Sequence, residues 1–231
     1  MRTRTFFLFF LMVVSSFLSN TILGHVSIDT KQRIKGFTLT EIGWHTYDAV
    51  LDGSAKTEAQ IIVDRLYDLG VRHIILSPRA VMKDPRQSFV QLKTSEEDLP
   101  YEADRYLRLI QYLHSRGMTV GIRPILFVVD AYGGIPFIEY FPGGNFKVWW
   151  HGNIQPYDPV SWFASFQYYL ETYARIAKLG QVEEFTVGAE LQSMTVGTLA
   201  EWPAHPYGFA ERWAELVTGI RPMLSPGTRL M

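Results

Sequence analysis

The sequence of 231 residues contains no cysteine, which excludes a disulfide framework and any metal site built on thiolates. It has no runs of lysine or arginine, and its formal net charge is only −1. Binding to nucleic acid or to an anionic membrane surface depends on clustered positive charge, so we expect no nucleic-acid partner. With 47% hydrophobic and 19% charged residues, the composition is that of a globular chain.

The amino-terminal segment predicts export. Arg2 and Arg4 precede an apolar run over residues 6–14, and serines follow it. A basic segment followed by a short apolar stretch is typical of a secretory signal peptide, to which we assign residues 1–24. The protein is then secreted or periplasmic, or it stays tethered to the membrane if the segment is not cleaved. Residues 25–231 are interpreted as one domain.

Strand-like and helix-like segments alternate through that domain. Each strand is short and rich in β-branched residues, and each helix has apolar residues at spacings of three and four. Asp158 and Pro159 predict the start of the third helix. The expected strands are residues 34–39, 71–76, 119–129, 182–187 and the beginning of a fifth at 228–231. The expected helices are residues 57–69, 102–116, 160–179 and 207–220, and a long loop is expected at 130–159.

Such alternation, with no hairpin signal, predicts parallel βα units of the α/β class. Two architectures remain, a doubly wound open sheet and a (β/α)8 TIM barrel. No glycine-rich phosphate-binding motif follows the first strand, whereas polar and aromatic residues follow every strand. Those positions share one rim of a barrel, where active sites lie, so the barrel is favoured.

The chain supplies only about the first four to five βα units of such a barrel. A complete barrel needs eight and takes about 250 residues. We therefore expect the N-terminal part of a truncated TIM-barrel domain, with a fragment and a natural truncation both open. The first and last strands of a half barrel are open sheet edges, so self-association is expected.

The sharpest local feature is Glu190, directly after the fourth strand in VEEFTVGAEL. A carboxyl group at that rim is expected to be partly desolvated beside aromatic residues, which favours the protonated form that a general acid requires. Glycoside hydrolysis uses such an acid together with a second carboxylate. A rim ion pair is the other interpretation of a single glutamate there.

The long loop carries the second feature, the aromatic segment WWHGNIQPYDP, in which Trp150 and His151 are candidate sugar contacts. Long loops in compact domains are usually functional or disordered, and the aromatic content here argues against disorder. The loop is interpreted as a lid or subsite wall that also leads into the third helix.

Together, the loop and the strand ending in Gly188-Ala189-Glu190 resemble glycoside hydrolase family 113, over nearly the whole mature chain. The resemblance rests on a W-x-G-x-I-x-P segment, here beginning at Trp150, and on G-x-E. It implies a β-mannanase-like retaining enzyme that cuts β-1,4-mannan without metal or organic cofactor, with Glu190 as acid/base. It also places the nucleophile after a seventh strand, beyond the end of this chain. One departure is Ala189, where many barrel glycosidases of this clan have asparagine.

Four further residues are candidate substrate contacts. Trp44 and His45 follow the first strand, and either line a sugar subsite or form a packed rim pair. Arg79 either binds a hydroxyl group or orients Glu190, or else lies on the surface. Arg123 needs a carboxylate partner if it faces inward, and Glu190 is the candidate. No ligand spacing supports a metal site. A non-catalytic carbohydrate-binding or degenerate half barrel remains the alternative function.

Overall fold

A computed structural model describes residues 36–40, 47–50, 55–129, 137–198 and 201–231. The predicted signal segment, residues 1–24, lies outside these residues, as do the candidate sugar contacts Trp44 and His45. The described residues belong to one compact unit that spans Ile34–Met231. None of the helices in this described part combines the length and apolar character that a membrane crossing needs.

The central element is a five-stranded sheet in which every pairing is parallel. Thr38 of its first strand is level with Ile75, Gly121 and Glu184 in the register of the next three strands. The strand order follows the chain, as the predicted βα units require. The strands of this sheet are β1 (Gly36–Thr40), β2 (His73–Ser77), β5 (Thr119–Ile122), β9 (Glu184–Phe185) and β10 (Arg229–Leu230).

Helices join the successive strands of this sheet. The first begins at a capping box in which Thr57 and Gln60 exchange hydrogen bonds between side chain and backbone. The third begins at Asp158, as predicted, because its carboxylate accepts from two backbone N–H groups of the first turn. The helices are α1 (Glu58–Asp68), α2 (Leu99–Ser115), α3 (Pro159–Gly180), α4 (Gln192–Thr195) and α5 (Ala210–Ile220).

Two strands of this sheet, β2 and β5, are each followed by a proline and then by a further strand outside the five-stranded sheet. Strand β3 (Arg79–Met82) follows Pro78, and β6 (Ile125–Val128) follows Pro124. The two extensions pair in parallel, and β4 (Gln91–Leu92) adds an antiparallel edge. The predicted strand 119–129 is therefore two strands, because proline has no N–H to donate to the ladder.

The segment 130–159, predicted to be a loop without hairpins, contains an antiparallel hairpin. Strands β7 (Phe137–Tyr140) and β8 (Phe146–Trp149) pair across a turn in which Gly143 and Gly144 adopt left-handed backbone angles. Glycine adopts these angles without steric strain, so the Gly-Gly pair was a turn signal. A short 3-10 helix, His151–Asn153, follows the hairpin directly.

The two faces of the sheet differ in chemistry. Apolar side chains on one face pack under the helices, where Ile74, Leu76, Ile122 and Phe185 are completely buried. The opposite face carries Gly121, whose neighbours are His73, Ile75 and Glu184. This arrangement, with helices covering one side and the strand order following the chain, is that of a partial (β/α)8 barrel.

Candidate functional site

The loop between β9 and α4 positions Glu190. Gly188 lies against the indole of Trp213, where an added Cβ would come within 3.0 Å of a ring carbon. Leu191 is buried on the other side of Glu190. Glu190 itself has a φ of 57°, a left-handed angle that a side chain with a Cβ adopts only under constraint. The Glu190 side chain remains largely exposed on this loop.

The Glu190 carboxylate pairs with His151. Their Oε2 and Nε2 atoms are 3.1 Å apart, and the side chain of His151 is only 13% exposed, against 69% for Glu190. The expectation that Glu190 is partly desolvated is therefore wrong for the described residues. Besides His151, the residues around Glu190 include Gly188, Leu191 and Trp213, which line a mostly apolar cavity together with it.

His151 is held by aromatic rings on two sides. The Trp150 ring lies 5.0 Å from the imidazole between centroids, and the Phe127 ring lies 6.4 Å away, both close to edge-on. The sequence interpretation missed Phe127. The available signal was its place in the strand extension after Arg123, at the same rim as the other candidates.

Trp150 is positioned by Gly152. An added Cβ on Gly152 would lie 2.3 Å from a carbon of the Trp150 indole, so the ring occupies the space that only glycine leaves free. Asn153 fixes the backbone around this contact, because its side-chain oxygen accepts from the Trp150 N–H and its amide donates to the Val148 carbonyl. The W-x-G spacing is therefore explained by the packing of the Trp150 ring against Gly152.

A hydrogen bond connects the loop that carries His151 to the segment that carries Glu190. The hydroxyl of Ser193, in α4, donates to the carbonyl of the fully buried Ile154 at 2.7 Å. Asp158 then begins α3, and hydrogen bonds from the hydroxyl and backbone N–H of Ser161 hold the pKa of its carboxyl below the usual range. The Ser193–Ile154 hydrogen bond therefore joins the segment that carries His151 to the segment that carries Glu190.

Arg79 lies at the same rim but does not contact Glu190. Its guanidinium is 5.6 Å from the centroid of the Phe127 ring, the ring that meets His151. Its Nε and Nη2 atoms are buried and have no hydrogen-bond partner among the described residues. The surface interpretation of Arg79 is wrong, and a role in orienting Glu190 by direct contact is not supported.

Arg123 pairs with a hydroxyl group rather than a carboxylate. Its Nη2 donates to Thr38 Oγ1 at 3.3 Å, across the sheet, so the predicted Arg123–Glu190 ion pair is wrong. Arg123 follows directly on β5 and reaches past β2 to Thr38 in β1, although β5 itself pairs with β9, the strand that leads to Glu190. In the described part of the chain, no three acidic or histidine side chains form a metal-binding cluster.

The parallel βα sheet is that of a partial (β/α)8 barrel, and Glu190 lies beyond the end of one of its strands, where barrel active sites lie. A family model described as Glycoside Hydrolase Family 113 matches residues 43–221. The chain belongs to glycoside hydrolase family 113.

Solved structures with the same fold include a family 113 β-mannanase from Alicyclobacillus acidocaldarius in complex with ManMIm. It is 18% identical with a TM-score of 0.58, over 85% of this chain and 53% of that one. A family 113 β-1,4-mannanase complex is 23% identical with a TM-score of 0.52, over 85% and 54%. The chain thus spans about half the length of these structures. A search of curated protein sequences finds no significant match.

Proposed function

We propose that this chain carries the acid/base half of the active site of a retaining β-glycosidase, with Glu190 as the proton donor. The observation that supports this most is the Glu190–His151 pair at 3.1 Å. Glu190 lies on the loop that follows the parallel strand β9, at the end of the barrel where active sites lie. The Glu190 side chain is largely exposed, so solvent can reach the carboxylate, as a reacting sugar must.

In the proposed reaction the proton of Glu190 passes to the glycosidic oxygen as the bond between that oxygen and the anomeric carbon breaks. A second carboxylate attacks the anomeric carbon and forms an ester to it. Water then attacks the same carbon, gives its proton to the Glu190 carboxylate and releases the second carboxylate. Bonds and protons balance over the two steps, and Glu190 is protonated again at the end.

The second carboxylate is proposed to come from a later barrel strand. It must lie about 5–5.5 Å from the Glu190 carboxyl group in a retaining enzyme. Among the described residues, the ionisable partner of Glu190 is His151. We propose that the nucleophile belongs to a part of the barrel outside the described residues.

β-1,4-Mannan is the proposed substrate, with Trp150 and His151 as wall residues of a sugar subsite. Support comes from the family and from the structural neighbours, two of which are β-1,4-mannanases by description. The exposed indole of Trp150 offers an apolar face next to His151, the hydrogen-bond partner of Glu190. Apolar ring faces beside hydrogen-bonding groups suit a sugar, which has both kinds of surface.

The test is release of reducing ends from β-1,4-mannan by the full-length protein and by its Glu190→Gln variant. Replacing the acid removes a contribution of about 10²- to 10⁴-fold, so the variant should lose nearly all activity while keeping its fold. Full activity of the variant on mannan and on other β-linked polysaccharides would overturn the assignment. Binding without hydrolysis by the wild-type protein would favour a non-catalytic carbohydrate-binding function instead.

Two further proposals concern self-association and export of the protein. The strands β1 and β10 each pair on one side only among the described residues, and such edges invite another strand, so the isolated chain is proposed to self-associate. A monomeric mass by light scattering at micromolar concentration would contradict this. Export is proposed from residues 1–24, and a mature protein that still begins at Met1 would contradict cleavage.

A further inference from the structure

The hairpin of β7 and β8 has two chemically different faces. The side chains of Glu139 and Lys147, which are partners in the register, point towards the body of the protein. The side chains that alternate with them are exposed, among them Tyr140 at 75% and Phe146 at 62%. All the exposed side chains on that outer face are apolar or aromatic: Ile138, Tyr140, Phe146 and Val148.

The inner face anchors the hairpin firmly. The two terminal guanidinium nitrogens of Arg86 donate to the Glu139 carboxylate, at 3.0 and 3.1 Å, and the Trp149 indole N–H donates to the same carboxylate at 2.8 Å. Lys147 lies 3.8 Å from the centroid of the buried Trp149 ring and pairs with Glu201. The exposed face is therefore presented by a fixed element.

The exposed face leads directly to the site. Phe146, Val148 and Trp150 alternate along one strand direction, and four residues of extended chain cover about 14 Å. The next residue, His151, holds Glu190. Tyr140 extends the strip sideways, since it is opposite Phe146 in the register, with ring centroids 6.4 Å apart and planes inclined at 50°.

We propose that this outer face of the hairpin is a binding surface for a neutral β-linked polysaccharide chain whose reacting bond lies at Glu190. The proposal rests on the proposed function. The two inclined rings of Tyr140 and Phe146 contact sugar rings distant from the cleaved bond, and Val148 and Trp150 continue the contact towards the site.

Charge favours this occupant over others. The charged side chains of the hairpin face inward and are already paired, so the outer face offers nothing to an anionic polymer. A membrane-binding face combines apolar side chains with flanking lysine or arginine, which the outer face lacks. Exposed apolar patches mark surfaces for a partner, a membrane or a ligand, and a neutral sugar chain needs ring faces rather than ions.

The test is native affinity electrophoresis of the 231-residue chain in gels containing soluble galactomannan. The variants are Tyr140→Ser with Phe146→Ser, Glu190→Gln, and Tyr207→Ser as a control at an aromatic residue that is 83% exposed elsewhere. We expect galactomannan to retard the wild-type chain, the Tyr207→Ser chain and the Glu190→Gln chain. The double variant should need about tenfold more polysaccharide, or more, for equal retardation.

The outcomes distinguish failure of this binding surface from failure of the proposed hydrolytic role of Glu190. Equal retardation of the double variant, or no retardation of the wild-type chain, would overturn the inference and leave the hydrolytic role of Glu190 to its own assay. Retained binding by Glu190→Gln shows that binding does not depend on the reaction. If the double variant converts a self-associated chain to a monomer without changing retardation, the face binds a second copy and the inference is wrong. Circular dichroism of each variant confirms that it is folded.

Discussion

His151 Nε2 lies 3.1 Å from Glu190 Oε2, although the two residues are 39 positions apart in the chain. The histidine is nearly buried between Trp150 and Phe127, whereas the carboxylate extends into solvent. A rigid imidazole that hydrogen-bonds one carboxyl oxygen leaves the other free for a substrate. We interpret His151 as the residue that positions Glu190.

Replacing His151 by alanine in the full-length protein should lower kcat on mannan by about tenfold to a hundredfold, with a much smaller change in KM, because the carboxyl group loses its orientation. The pH profile of kcat/KM should change as well. His151→Gln keeps a hydrogen-bond donor and should recover part of the rate. His114→Gln is the matched control, since His114 also pairs with a glutamate, Glu183, at 3.4 Å on the amino side of β9. Similar losses for both histidines would contradict the positioning role.

Gly152→Ala should disturb the Trp150 indole. The added Cβ would lie 2.3 Å from a ring carbon, so the ring must move. Overpacking of this kind costs about 1–3 kcal/mol, measured by urea unfolding. Gly227→Ala is the control, because its Cβ would meet no atom within 4 Å. Equal stabilities of the two variants would show that Trp150 does not depend on Gly152.

Glu139→Gln should weaken the hairpin anchor in a pH-dependent way. The hydrogen bonds from Arg86 hold the pKa of the Glu139 carboxyl below its ordinary value, despite an opposing effect of desolvation. A lowered folded-state pKa contributes stability above the unfolded-state value, and that contribution is lost as the pH falls through the folded-state value. The variant should therefore be less stable than wild type at pH 7, by about 1–2 kcal/mol, and the difference should shrink in acid.

The control for the Glu139 substitution is Glu201→Gln, which removes the carboxylate that pairs with Lys147. Glu201 is about half exposed, so its loss should change the free energy of unfolding by less than about 1 kcal/mol. The free energies of unfolding of wild type and Glu139→Gln are compared from pH 7 into acid. If their difference stays constant, the ion pair is not what stabilises the hairpin.

Glu102→Ala should be the most destabilising of the charge substitutions considered for α2. Glu102 and Arg105 are both over 90% buried with atoms 2.6 Å apart, and the Tyr173 hydroxyl donates to the same carboxylate. Removing one partner of a buried pair costs about 3–5 kcal/mol, because the other charge stays buried.

Asp104→Ala on the same helix is the matched control for Glu102→Ala. Asp104 pairs with Arg108 on the surface, where both side chains are more than half exposed, so its removal should cost about 0.5 kcal/mol or less. Chemical denaturation of both variants measures the two values. A cost for Glu102→Ala as small as that for Asp104→Ala would contradict the buried pair.

The sequence predicted the fold class and the starts of α1 and α3 to within one residue, because those depend on local patterns, whereas α2 begins three residues before and α5 three residues after the predicted start. Thr57 and Asp158 cap helices through contacts within three residues. The hairpin was missed although Gly143 and Gly144 marked its turn, because aromatic residues around it were interpreted only as a loop. The partners of Arg123 and Glu190 depend on strand register and on loop paths, and no spacing in the sequence encodes a contact between residues so far apart.

The central claim, that Glu190 donates the proton to the leaving group, is tested most directly by the dependence of its variant on the leaving group. The full-length Glu190→Gln protein is compared with wild type on mannan and on an aryl β-mannoside whose phenol leaves without protonation. We expect a loss of about 10²- to 10⁴-fold on mannan and a far smaller loss in bond cleavage on the aryl glycoside. Equal losses on both substrates, or none on mannan, would contradict the claim.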